Sequence, residues 1–158
     1  MGPANPIESL AWVRALAESR PLFAAVETAH TLGFILLVGS VFFFDLRVLG
    51  IARRIPVRAL ARLLLPWSWA ALVVIVPTGL AMFAVSAGDL LESGTFKLKM
   101  ALLLAAAVNA AFFLTGPYAS VKSWDVEMPA PVSAKISAVL SLFLWTAIIA
   151  CGRWLAYV

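Results

Sequence analysis

VETAHTLGFILLVGSVFFFDLR, residues Val26 to Arg47, is one long apolar run that holds the only histidine in the chain, with Glu27 one turn ahead of His30. The stretch Leu22–Phe44 reaches the ~20 apolar residues with which a helix crosses a bilayer. Three further runs, Leu63–Val85, Leu98–Leu114 and Ile136–Gly152, come close to or reach the same length. Buried helices of a soluble all-α core keep a polar face, and these runs have almost none. The composition agrees: 63% hydrophobic and 13% charged, against about 45–50% and 25% for soluble globular chains. The expectation is an all-α, four-helix transmembrane bundle in one domain, with helices over about 22–44, 63–85, 97–114 and 134–154.

Ahead of the first span, Pro6–Ser19 reads as a short helix capped by Asn5 with Pro6 at its first position. It mixes Ile7, Leu10, Trp12, Val13 and Leu16 with Glu8, Arg14 and Glu18, the composition of a helix lying in the membrane interface. The opening MGPANPIESL has no basic segment before an apolar one and is not expected to be a cleaved leader. Pro6 stands at the Ser/Thr position of a myristoylation signal starting at Gly2. The single Cys151 excludes an intramolecular disulfide and a cysteine-built zinc or iron–sulfur site within one chain.

The connection after the first span carries Arg47, Arg53, Arg54, Arg58 and Arg62 against Asp45, while the second, Ser86–Phe96, carries Asp89 and Glu92. The positive-inside rule puts the first connection in the cytoplasm. Both termini then lie outside, in the periplasm if the membrane is a bacterial inner membrane. The net charge of +4 comes mostly from this Arg-rich connection, whose nearest anionic partner is lipid headgroups; nucleic-acid binding is not expected. With this orientation Glu27, His30, Lys97, Lys99 and Arg153 gather toward one membrane face, and Asp45 and Arg47 toward the other.

Ionisable groups within a membrane face the bundle interior and point to function. His30 has three readings: an interhelical hydrogen bond, a metal or haem ligand, or a proton-transfer group. Glu27 either accepts the spare ring N–H of His30, as partners of metal-bound histidine do, or pairs with Lys97 or Lys99. Lys97 snorkels to the interface; Lys99, on another face, offers a desolvated amine as ligand or base. Arg153 anchors the chain end beside Trp154 and Tyr157, or holds a carboxylate. Ala25, Ala29 and Gly33 form a small-residue stripe that admits a second copy of the chain or a flat macrocycle. Pro77 is expected to kink the second span, eased by Thr78 and Gly79; Ser133, Ser137 and Ser141 read as packing contacts. No Ser–His–Asp order, HExxH, Gly-rich phosphate loop or cysteine pair is present, so hydrolysis and phosphoryl transfer have no support.

AHTLGFILLVGSVFFFDLR resembles the first helix of the HemJ-type protoporphyrinogen oxidases, with His30, Gly39 and Arg47 as the matching positions. TFKLKMALLLAAAVNA resembles the segment where that family sets a lysine before a Leu-rich run, here Lys99. The likeness spans roughly Ala24 to Leu114 and extends to CopD-like copper-resistance domains. The strings VETAH and DLRVLGI are similar to those of a set of small bacterial four-helix membrane proteins, a likeness that implies no activity. The HemJ resemblance implies haem b bound by His30 and Lys99. Where that family has a further histidine, this chain has Lys97.

The expected function is therefore a b-type haem protein acting in electron transfer or in redox chemistry on a quinone or porphyrin. Lys97 or Arg153 would hold a propionate, and Met82 is a weaker alternative ligand. Whether the chain is an enzyme stays open. The rivals are a non-enzymatic structural membrane subunit and a CopD-like copper-handling protein, for which one histidine, one cysteine and four methionines are a poor Cu(I) donor set.

Overall fold

The computed structural model describes residues 5–155 and 157. Its elements are α1 (Ala11–Glu18), α2 (Arg20–Leu49), α3 (Val57–Val85), α4 (Ala87–Glu92), α5 (Gly94–Thr115), a 3-10 helix (Pro117–Ser123) and α6 (Val132–Trp154). Four of the helical segments are long and apolar enough to cross a membrane. The fold is the all-α bundle that the apolar runs imply, with a short helix ahead of it.

Helix ends fall where capping chemistry puts them, which lengthens the expected spans. α2 runs on to Leu49 and stops at Gly50, whose φ of 111° is left-handed. The Gly50 N–H donates to the Arg47 carbonyl and the Ile51 N–H to the Leu46 carbonyl, the paired bonds of a Schellman end. α3 starts after Pro56, and the Asp125 carboxylate accepts from the Arg58 N–H at 2.8 Å, acting as its N-cap from a distant loop. Ser93 caps α5, its hydroxyl accepting from Phe96 N–H.

The N-terminal expectation needs correction. Residues 6–9 form turns, and regular helix begins only at Ala11. The Asn5 side chain accepts from Ile7 N–H, two residues on, so it closes a turn rather than opening a helix. α1 packs against α2 and α3, with Val13 and Leu16 buried and Trp12 exposed. Glu8 accepts from Gly88 N–H at 2.8 Å, which pins the segment to the α3–α4 junction. Gly2 lies outside the described residues.

Close helix pairs run in the order α3–α2–α6–α5. α3 and α5 meet instead through side chains, among them the stacked rings of Phe83 and Phe96, 5.5 Å apart. Small residues line the close contacts: Ala71, Ala84, Ala106, Ala134, Ala138, Ser137 and Ser141 are buried, as expected where van der Waals approach rather than hydrophobic exclusion joins helices in lipid. Leu32, Phe43, Trp69, Val73, Leu104 and Phe143 point outward.

At the arginine-rich end Arg47 is 3% exposed and ties two connections together. Its guanidinium donates to the carbonyls of Ile55, Arg53 and Asp125. The Val57 N–H donates to the Asp125 carbonyl and the Glu127 N–H to that of Arg53, so both connections at this end form one hydrogen-bonded lock.

Candidate functional site

His30 and Lys99 turn into the bundle; Glu27, Lys97 and Arg153 do not. His30 is half-buried on α2, facing the stretch of α3 that Pro77 interrupts. Proline has no N–H to give the Val73 carbonyl, yet α3 stays continuous through it. One residue on, the Thr78 hydroxyl donates to the Val74 carbonyl at 2.6 Å and reaches that of Ile75 at 3.2 Å.

That commitment fixes the imidazole. Thr78 Oγ1 lies 3.0 Å from His30 Nδ1. Because the single hydroxyl proton serves α3 carbonyls, the shared hydrogen bond takes its proton from Nδ1–H. The neutral imidazole then carries its lone pair on Nε2. The ring also sits tightly on Gly79: a Cβ there would stand 3.0 Å from His30 Cε1, tighter than carbon atoms usually pack, so the ring would have to shift.

Lys99 reaches the same interior from α5. It is half-buried, its Nζ 3.7 Å from where a Cβ on Gly152 would be. Four helices thus contribute: α2 the imidazole, α3 its acceptor and its glycine floor, α5 the amine, and α6 the backbone at Gly152 beside it.

The remaining predicted residues sit elsewhere. Glu27 is exposed; the place beside Nδ1 expected for it belongs to Thr78, because His30 is turned onto α3 and Glu27 away from it. Lys97 is exposed at the start of α5, fitting a snorkelling lysine. Arg153 is exposed and donates to the Tyr157 hydroxyl at 3.0 Å, with the Tyr157 ring 5.7 Å from the guanidinium carbon. Gly33 is buried against α3, where a Cβ would meet Ile75 Cγ1 at 3.0 Å and the Ala71 carbonyl oxygen at 3.5 Å. It is a helix-packing glycine, so Gly33 does not share an open face with the exposed Ala25 and half-buried Ala29.

Thr78 and Gly79 are legible in the sequence only as easing a kink at Pro77; their contact with His30 escaped that reading, although a hydroxyl next to a glycine within a membrane helix offers an acceptor and room for a ring. Among the described residues no group of three His, Cys, Asp or Glu side chains could hold a metal ion.

Neither a curated protein nor a solved structure gives a match to this chain. One family model covers most of it, and over residues 21–158 the chain belongs to the family of unknown function DUF6644.

Proposed function

We propose that this chain is a membrane-embedded b-type haem protein, acting in electron transfer or in redox chemistry on a small molecule such as a quinone or porphyrin. His30 and Lys99 are the residues that would hold its iron. The observation that carries the reading is the hydrogen bond between Thr78 and His30 Nδ1. A partner at Nδ1 is how proteins orient an imidazole whose Nε2 serves a metal.

The donor set supports the same reading. One imidazole and one amine suffice for an iron whose equatorial ligands come from a porphyrin. An ion held by side chains alone wants three or more, which weighs against the CopD-like alternative. Bound haem would supply one-electron chemistry. The chain would supply the two ligands, a ring fixed between Thr78 and Gly79, and an interior shielded from water. Lys97 and Arg153, both exposed at the end of the bundle nearer the site, are the cations to hold propionates. The likeness of His30 and Lys99 to the HemJ pattern belongs to this proposal, as does a bacterial inner membrane with both termini periplasmic, which rests on the arginines between α2 and α3.

The test is the visible spectrum of the protein purified in mild detergent after expression with haem supplied, oxidised and dithionite-reduced. A Soret band and reduced-state bands are expected; a colourless protein contradicts the proposal. One observation favours a second reading, a non-enzymatic structural membrane subunit: Gly33 and Gly79 both serve close α2–α3 packing, and the His30–Thr78 bond would then be only an interhelical tie.

A further inference from the structure

Toward the arginine-rich end of the bundle, away from His30, Asp45 is 7% exposed. Its Oδ2 is fully enclosed and has no hydrogen-bond partner. It lines a cavity of about 110 Å³ where α3 and α5 face each other across α2 and α6, walled also by Ser40, Ser68, Asn109, Ser137, Ser141 and Tyr118 among apolar side chains. No basic side chain lines this space. Arg47, two residues on, is turned away and spent on loop carbonyls.

Two of the hydroxyls in the wall are committed to other acceptors. The Ser68 hydroxyl donates to the Leu64 carbonyl at 3.1 Å. The Ser137 hydroxyl donates to Asn109 Oδ1 at 2.9 Å, and Asn109 Nδ2 returns a bond to the Ser137 carbonyl at 3.0 Å. These hydroxyls therefore keep lone pairs for the cavity. An unpaired carboxylate within a membrane helix is strongly disfavoured. A cation beside Oδ2 neutralises it and at the same time meets lone pairs of the wall's hydroxyls.

We propose that Asp45, with the hydroxyls of Ser40, Ser68 and Ser141, is a buried site for one small monovalent metal cation, Na⁺. All the donors are hard oxygens, which favours an alkali cation over a soft transition metal. One carboxylate neutralises one charge, whereas a divalent ion would leave a net charge buried. The cavity holds the ion with two or three waters, each occupying about 30 Å³. The site is independent of the haem reading.

The experiment uses the full chain in detergent, in choline-based buffer at fixed ionic strength. Binding of radioactive sodium is measured directly on wild type, and thermal unfolding is followed by tryptophan fluorescence with added NaCl, KCl or LiCl. Saturable binding of about one sodium per chain is expected, together with a rise in Tm as sodium is added, since binding to the folded state alone stabilises it. Asp45→Asn should lose the binding, and Ser68→Ala should weaken it several-fold, while Glu27→Gln retains it. Absence of saturable sodium binding by wild type overturns the proposal. So does a cation response that survives in Asp45→Asn, or an Asp45 carboxyl infrared band that titrates with pH and ignores sodium, which would make the site a proton site.

Discussion

Thr78 gives its hydroxyl proton to the Val74 carbonyl and takes one from His30 Nδ1, 3.0 Å away. A hydroxyl committed to carbonyls of its own helix thereby sets the tautomer of a histidine on another. Replacing Thr78 with valine keeps the shape and removes the acceptor. The expected result is a haem that is retained but shifted in spectrum and potential, with roughly 1 kcal/mol lost from stability, the scale of an interhelical hydrogen bond in lipid. Redox titration and thermal unfolding of Thr78→Val check both parts.

Gly79→Ala puts a carbon 3.0 Å from His30 Cε1. Overpacking of this kind costs about 1–3 kcal/mol, and here the strain falls on the imidazole. The variant is expected to lose stability and haem together. Gly39→Ala, where a Cβ has open space, should leave haem content unchanged and tells the local clash from a general loss of helix flexibility.

Lys99 and Lys97 separate two roles for a lysine. Lys99→Met removes the inward amine and is expected to change the ligand-field bands of the oxidised haem and raise its reactivity toward carbon monoxide. Lys97→Met, altering an exposed side chain, should leave the spectrum as it is.

At the other end, Arg47→Ala removes three bonds made by one guanidinium and strands the Ile55 carbonyl, while Arg53 and Asp125 keep their backbone partners. Bonds to charged groups are worth about 1.5–3 kcal/mol each, so a loss of several kcal/mol in thermal or denaturant unfolding is expected. Asp125→Ala, which uncaps α3, should cost about 1 kcal/mol. Arg54→Ala, exposed on the same loop, should fall within about 0.5 kcal/mol of wild type.

The four spans were legible because a bilayer demands apolar runs of fixed length, and that demand is written residue by residue. Their ends were less so. α2 continues through Asp45 and Arg47 because both find buried places beyond the apolar run, and only Gly50 stops it. α4 and the 3-10 helix sit in connections too short and mixed to show periodicity. Within the site, His30 and Lys99 stood out as charges in hydrocarbon. Glu27 and Gly33 were drawn to the same site by their closeness to His30 along one helix, whereas the rotation of α2 against α3 decides their surroundings and leaves no trace in the spacing. Asp45 looked like an end-of-helix residue, and Ser137 and Ser141 like packing residues. Only the gap between α3 and α5 shows that all three line one cavity.

The most direct test of the central claim, that His30 Nε2 is the free nitrogen that holds haem iron, is ligand rescue. His30→Ala is purified with haem supplied, and its spectrum is recorded before and after imidazole is added. The account predicts loss of the wild-type Soret band and its return, saturably, with imidazole, because the fixed ring between Thr78 and Gly79 leaves a space of its own shape. A His30→Ala protein whose bound haem has the wild-type spectrum without imidazole would contradict it.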